Sequence, residues 1–159
     1  MQIHLIAVGK IKEPFLRDGI EEYLRRLSGF VTIRITDFSE ERAREGASAH
    51  EILTACKVEG DHLLSASGKS DLIIALDPVG KQMGSEELAK LIRGWEIDGP
   101  HKISILIGGP HGLSGEVRGR SDLLLSLSPM TFPHQMVRLL ILEQLYRAYT
   151  INRGIPYHR

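Results

Sequence analysis

The chain has 159 residues, of which 42% are hydrophobic, and its 20 Lys and Arg residues balance its 20 Asp and Glu residues. This length suits a single domain, residues 1–159, that can bury roughly 70% of its unfolded surface. The formal net charge of zero excludes a strong nonspecific attraction to nucleic acid or to an anionic membrane. A polyanionic partner must therefore meet a local basic patch.

Cysteine and histidine usage restricts the chemistry further. The single cysteine, Cys56, excludes an intramolecular disulfide and suits a reducing compartment; we expect it to be a small core residue of a helix rather than a reactive thiol. The seven histidines form no helical pair around a carboxylate, so no metal is expected. The apolar start is too short for a signal peptide and no run reaches membrane-spanning length, which predicts a cytoplasmic protein without membrane contact.

Strand and helix patterns alternate through the first half of the chain. Pro14 marks a helix start and Gly29 a helix stop. The charge run 40–46 has two readings of similar weight, a solvated segment or a contact for a large partner. In chain order the pattern predicts a strand at 3–8, a helix at 14–28, a strand at 31–36 and a helix at 49–64.

The second half continues the alternation. Residues 71–77 are almost all apolar, as in a strand covered on both faces, and a turn is predicted at 77–81. Ser85 is predicted to cap a helix that reaches Ile92 and is broken by 94–100. Two apolar strands follow, one ending in Gly-Gly-Pro at 108–110 and one in Ser-Pro at 128–129, before a helix from 133 or 134 to about 151. The fold class expected is α/β, with a three-layer, mostly parallel sheet and ligands beyond the carboxyl ends of its strands.

The two strand ends without bulky or charged side chains predict a small-molecule site. Placed side by side, they would expose backbone N–H and C=O groups, which can read a neutral heterocycle such as adenine. A dinucleotide-binding glycine pattern is missing after the first strand, and a P-loop and a nucleophile elbow are missing as well. The site is therefore expected to consist mainly of main chain.

A resemblance rests on a set of motifs in the last third of the chain. These are Leu-Ile-Gly-Gly-Pro-His-Gly-Leu-Ser at 106–114, Leu-Ser-Pro-Met-Thr-Phe-Pro-His at 127–134, Leu-Tyr-Arg-Ala at 145–148 and the final Pro-Tyr-His-Arg. With them the chain resembles the SPOUT class of RNA methyltransferases, and within it the RlmH family, the large-subunit ribosomal RNA pseudouridine N3-methyltransferases. The resemblance covers essentially the whole chain, although His111 stands where related members often carry an acidic residue.

The resemblance implies a C-terminal segment threaded as a trefoil knot, an exception to the unknotted rule. It also implies transfer of a methyl group from S-adenosylmethionine to N3 of a pseudouridine in 23S ribosomal RNA. Because a chain of zero net charge is expected to depend on the shape of a structured target more than on free RNA, the substrate expected is the assembled ribosome. The cofactor contacts that the resemblance implies are Leu76, Gly108, Leu127, Ser128, Pro129, Met130, Thr131 and Phe132.

Methylation of an imide nitrogen requires loss of its proton, so a base or a cation that stabilises the anion is expected. The catalytic candidates are Arg138 and the terminal residues Tyr157, His158 and Arg159. The tail combines a proline, an aromatic ring and two potential cations, which suits stacking on a base and binding phosphate. His134 is a further candidate, with a place in the N-terminal cap of the last helix as an equal alternative.

The last helix carries an apolar stripe that includes Leu139, Leu142, Tyr146 and Tyr149. The stripe is read either as a core face or as a homodimer interface, which the resemblance favours, with the tail of one chain completing the site of the other. Two other functions stay open at this point: a nucleotide-binding enzyme of another class, and a noncatalytic ribosome-associated protein.

Overall fold

The computed structural model describes residues 1–158 and forms a five-stranded sheet in the order β2-β1-β4-β3-β5. Every strand pairing is parallel, which confirms the expected α/β class. The strands are β1 (Gln2–Val8), β2 (Thr32–Phe38), β3 (Leu72–Gln82), β4 (Lys102–Ile107) and β5 (Leu123–Ser126). The helices are α1 (Pro14–Leu27), α2 (Ala49–Ser67), α3 (Ser85–Asp98), α4 (Gly115–Arg120) and α5 (His134–Asn152).

Side chains alternate across the sheet and produce two apolar cores, one on each face. Leu5 of β1 faces the larger core, where α1, α3 and α5 pack, whereas Ile6 faces the smaller core under α2 and α4. This alternation is what a period of two residues requires of strands covered on both sides. The three-layer prediction is confirmed.

Three element predictions differ from the structure. The turn expected at 77–81 is part of β3, because the chain bends there and Lys81 and Gln82 pair with β5. Helix α3 does not stop at Gly94 but continues to Asp98. Its N-cap is Gly84, whose backbone N–H donates to Glu87 Oε2 at 2.8 Å.

The Ser85 hydroxyl does not cap α3, as the sequence suggested, but donates to Gln144 Oε1 of α5 at 2.7 Å. The order of the strands also corrects the site prediction. Strands β4 and β5 are not neighbours, because β3 lies between them and pairs with both. The carboxyl ends of three strands, not two, therefore form the relevant edge of the sheet.

Candidate functional site

A cavity of about 580 Å³ lies at the carboxyl ends of β3, β4 and β5. Its apolar wall includes Leu76, just before the bend of β3, and Ile107 and Leu125 near the ends of β4 and β5. The structure brings together seven of the eight residues expected to contact a cofactor; the lining residues among them are Leu76, Gly108, Leu127, Ser128, Met130, Thr131 and Phe132. The eighth, Pro129, lies between two lining residues but is not part of the lining itself.

The loop after β4 is closed on itself beside the cavity. Gly109 and Gly112 form an isolated antiparallel bridge, and the N–H of Gly112 donates to the carbonyl of Gly109 at 3.0 Å. A Cβ at Gly108 would lie 2.7 Å from the carbonyl oxygen of Gly112. Gly108 is therefore required by the close approach of the loop's own backbone, which in turn defines one wall of the cavity.

The loop after β5 is held by hydroxyl groups. The Ser126 hydroxyl donates to the carbonyl of Ser128 at 3.1 Å, and the Ser128 hydroxyl accepts from the N–H of Met130 at 3.0 Å. Such local side-chain bonds to backbone fix a turn without regular structure. Met130 is left 72% exposed at the rim of the cavity.

The cavity also contains an ion pair that sequence reasoning missed. Arg118 Nε donates to Asp77 Oδ2 at 2.7 Å, and both residues line the cavity. The Asp77 side chain is only 3% exposed, whereas Arg118 is 42% exposed. Asp77 was visible as a carboxylate at the end of a buried strand, but no pattern linked it to a residue 41 positions further on.

A histidine–carboxylate pair lies at another edge of the cavity. His134, a lining residue and the first residue of α5, has its Nε2 2.9 Å from Glu40 Oε1. His134 also lies in the N-terminal cap region of α5, the alternative predicted for it, because it directly follows the N-cap Pro133; no side-chain capping bond forms there. Gly9 lies directly beneath the pair, since a Cβ there would be 2.6 Å from Glu40 Oε1.

Beneath the loop after β4 lies a buried carboxylate, Glu59 of α2, which is 4% exposed. Its Oε1 accepts the backbone N–H of Glu41 at 2.9 Å, and a Cβ at Gly109 would lie 3.0 Å from its Oε2. Burial raises the pKa of Glu59, and the nearby Glu40 raises it further. The start of the charge run 40–46 is thus hydrogen-bonded to His134 through Glu40 and to Glu59 through the backbone of Glu41.

Comparisons with known proteins agree with this geometry. A family model described as "Predicted SPOUT methyltransferase" matches residues 1–158. The chain is 45% identical to the ribosomal RNA large subunit methyltransferase H of Carboxydothermus hydrogenoformans and 45% identical to that of Clostridioides difficile, each over 100% of both chains. The chain belongs to the SPOUT methyltransferases, within the RlmH family.

Solved structures share the fold of this SPOUT chain. A protein of Haemophilus influenzae described as a probable methylase is 14% identical, with a TM-score of 0.59, and the match covers 99% of this chain and 70% of that one. A Legionella pneumophila protein, solved in complex with the cofactor SAM, is 16% identical, with a TM-score of 0.51, over 94% of this chain and 66% of that one. At these identities the likeness shows the fold alone.

Arg138, a catalytic candidate on α5, is fully buried at 0% exposure. One of its terminal nitrogens donates to the carbonyls of Val8, at 3.0 Å, and Gly9, and its Nε lies 3.2 Å from Asp37 Oδ1. Burial lowers the pKa of Arg138, while Asp37 opposes that shift. In this SPOUT chain Arg138 ties α5 to the carboxyl ends of β1 and β2 and does not line the cavity.

The C-terminal tail packs on its own chain away from the cavity. The Tyr157 hydroxyl donates to Glu143 Oε1 at 3.0 Å and lies 3.0 Å from the hydroxyl of Tyr23. His158 Nδ1 is 3.3 Å from a terminal nitrogen of Arg147. Burial and these hydrogen bonds raise the pKa of Tyr157, so its phenol stays protonated. The remaining catalytic candidate, Arg159, lies outside the described residues.

Glu143 and Arg147, four residues apart on α5, form an ion pair that is largely covered. Its side chains are only 18% and 25% exposed, because the Tyr157 ring covers them.

Cys56 is a buried core residue, as expected, and burial raises its thiol pKa. Among residues 1–158 no group of three or more His, Cys, Asp or Glu side chains is placed to hold a metal ion. Within the same residues no helix is long and apolar enough to cross a membrane.

Proposed function

We propose that this chain binds S-adenosylmethionine and transfers its methyl group to N3 of a pseudouridine in large-subunit ribosomal RNA, on assembled ribosomes in the cytoplasm. The observation that carries the proposal is the cavity at the ends of β3, β4 and β5, whose walls are loop backbone and apolar side chains. It occurs in a chain of the RlmH family.

The cavity suits this cofactor in size and in chemistry. Its volume of about 580 Å³ falls in the range of roughly 300–1,000 Å³ that is usual for small-molecule sites. Backbone groups of 108–112 and 127–132 would hold the adenine ring, Leu127 would cover its face, and Arg118 would offer a cation to the carboxylate of the cofactor. Pro129 would act by fixing the turn between Ser128 and Met130.

When bound, S-adenosylmethionine supplies an electrophilic methyl group without the help of a metal. The protein must align the attacking nitrogen, remove its proton and exclude water. His134 already lies at the cavity: Glu40 accepts from its Nε2–H, which leaves Nδ1 as the atom able to take up a proton. Arg138, four residues further along α5, donates to the carbonyl of Gly9, which lies beneath this pair, so we assign it a positioning role.

The tail supplies the second set of groups. We propose that Tyr157 donates a hydrogen bond or stacks on the base, that His158 takes up or shares the proton, and that Arg159 contacts phosphate. Within one chain Tyr157 and His158 are not among the residues that line the cavity. A homodimer in which the tail of one subunit completes the cavity of the other is therefore part of the proposal.

The proposed chain path includes the trefoil knot of the SPOUT class. Support comes from the bend in β3: Leu125 pairs with both Leu76 and Lys81, and a Cβ at Gly80 would lie 2.6 Å from the carbonyl group of Leu124. The segment 77–82 is thus pressed against β5 just before the chain leaves the sheet for α5.

The activity is tested with ribosomes that lack the modification. Ribosomes, free large subunits and naked ribosomal RNA are each incubated with the protein and S-adenosylmethionine, and nucleosides are analysed by mass spectrometry. We expect N3-methylpseudouridine, formed fastest on ribosomes. A methyl group on another atom, or equal rates on naked RNA and ribosomes, would contradict the respective part of the proposal.

The shared site is tested by mixing two inactive variants. Leu127→Arg fills the cavity with a cation, and His158→Ala removes the tail imidazole. If the tail acts on the partner, randomly mixed dimers regain about a quarter of the parental rate, because half of them are mixed and each of those has one intact site. If the tail acts on its own chain, the mixture stays inactive. Light scattering confirms that both variants remain dimers.

A further inference from the structure

A second cavity, of about 430 Å³, lies at the opposite end of the sheet from the first. It is formed by the amino ends of β1, β2 and β4 and by the turn after α2, and we call it the amino-end groove. Among its lining residues are His4, Arg34, Lys69, Ser70, Lys102 and Ile103. On β4, Ile103 lines this groove and Ile107, four residues further on, lines the first cavity, a separation of about 13 Å at the rise of a strand.

The groove carries positive charge that nothing in its own wall neutralises. Arg34, Lys69 and Lys102 line it and are exposed. The lining contains no Asp or Glu, and in the described part of the chain no ion pair includes any of these three cations. In a chain of zero net charge, three cations without a carboxylate partner form the local basic patch that a polyanion requires.

Arg34 is held in place by a short chain of hydrogen bonds. One of its terminal nitrogens lies 3.0 Å from His4 Nδ1, and His4 Nε2 lies 2.8 Å from the hydroxyl of Thr36. Because a guanidinium can only donate, His4 Nδ1 accepts, and His4 is a neutral ring with its proton on Nε2. Burial lowers the pKa of His4, and Arg34 lowers it further. The other N–H groups of Arg34 stay available for a bidentate contact with phosphate.

Hydrogen bonds at the C-terminal end of α2 reduce the repulsion that its carbonyl groups would exert on an anion. The Ser67 hydroxyl donates to the carbonyl of Leu64 at 2.7 Å, and the Ser70 hydroxyl donates to the carbonyl of Ser67 at 2.7 Å. Ser70 in turn lies 2.7 Å from the hydroxyl of Ser104. Two carbonyls of the last helical turn, which carry partial negative charge, are thereby occupied by protein donors.

We propose that the amino-end groove binds the phosphate backbone of the RNA substrate at a place distinct from the modified nucleotide. This inference rests on the proposed function and extends it. A second protein copy is a less suitable occupant, because a two-fold interface would place the three cations against themselves.

The test removes the three groove cations in the variant R34Q/K69Q/K102Q. A matched control, K57Q/K90Q/R93Q, removes the same number of charges from exposed positions of α2 and α3. Binding of both variants and of the parent to ribosomal RNA fragments is measured by fluorescence anisotropy at 50 and 200 mM salt. S-adenosylmethionine binding and thermal melting are expected to match the parent in both variants.

Each phosphate contact contributes a salt slope of about 0.9. The affinity of the parent should therefore fall about 40-fold more between 50 and 200 mM salt than the affinity of the groove variant, which lacks three contacts. The control variant should keep the parental salt dependence, and methylation of ribosomes by the groove variant should show a raised KM with an unchanged kcat.

Other outcomes overturn the inference in distinguishable ways. If groove and control variants behave alike while the parent binds and methylates RNA, the groove is not an RNA site and the proposed function stands. If the groove variant instead changes the dimer–monomer equilibrium, the occupant is a second copy of the chain. If the parent methylates ribosomes but binds no ribosomal RNA fragment at 50 mM salt, the groove inference fails and the proposed function stands. If the parent also methylates no ribosomes, both fail.

Discussion

The substitution Gly108→Ala tests whether the cavity wall depends on contact of the loop after β4 with itself. The added Cβ would lie 2.7 Å from the carbonyl oxygen of Gly112, 2.8 Å from its carbonyl carbon and 3.0 Å from Leu113 Cδ2. The ordinary range for such contacts begins at 3.4 Å, so the backbone of the loop must move by about half an ångström or more. Backbone cannot rotate away as the end of a side chain can, and overpacking of this kind costs about 1–3 kcal/mol.

For a chain of this size the corresponding fall in melting temperature is about 2–12 °C. Calorimetric titration of the same variant should show weaker binding of S-adenosylmethionine, because the displaced loop is a wall of the cavity. Gly94→Ala is the matched control: Gly94 lies within α3 with no atom within 4 Å of an added Cβ, so alanine should stabilise the helix by about 0.5–1 kcal/mol. Unchanged melting and unchanged cofactor affinity in Gly108→Ala would refute the reasoning.

Three further predictions concern buried polar groups. Arg138→Met leaves the carbonyls of Val8 and Gly9 without their donor and should lower the free energy of unfolding by about 3 kcal/mol, measured by urea denaturation; an unchanged midpoint would contradict it. The raised pKa of Glu59 means that the folded state binds its proton more tightly, so its stability contribution is present below the unfolded pKa and is lost as pH rises through the folded value. The free energy of unfolding of Glu59→Gln, minus that of the parent, should therefore be more positive at pH 7 than at pH 4. Stability curves of the two proteins that run parallel with pH would count against this. Buried Cys56 should react with a thiol reagent only after unfolding; fast labelling of the native protein would show it to be accessible.

The layers of the fold were predictable because period-two and helical patterns are local. The order of the strands was not, since it depends on which apolar strands pair at long range. Leu76 was expected at a strand end but lies inside β3, just before the chain bends. Only the pairing of β3 with both β4 and β5 explains why Leu76 meets Gly108 and Leu127 in one cavity. The residues expected to contact the cofactor were found from motifs, whereas the geometry that brings them together depends on the sheet.

The element errors share a physical cause, which is that tertiary packing outweighs a local signal. Gly94 costs α3 about 1 kcal/mol relative to alanine, yet Leu88, Ala89 and Ile92 of that helix are buried in the larger core, and that burial exceeds the penalty. At 77–81 the proline and glycine do bend the chain, but pairing of Lys81 and Gln82 with β5 keeps the segment in the sheet.

Helix α5 sets the distance between the cavity and the C-terminal tail. His134 at its first residue lines the cavity, whereas Tyr157 docks against Glu143, nine residues further along. At 1.5 Å per residue this places the tail roughly 14 Å from the His134 position along the helix axis. The hydrogen bonds of Tyr157 to Glu143 and Tyr23 hold the tail there, so it does not reach the cavity of its own chain in this conformation. A tail that takes part in catalysis must therefore act on the cavity of a second subunit or undock first. The mixing experiment separates these two cases, since only the first allows a mixture of two inactive variants to regain activity.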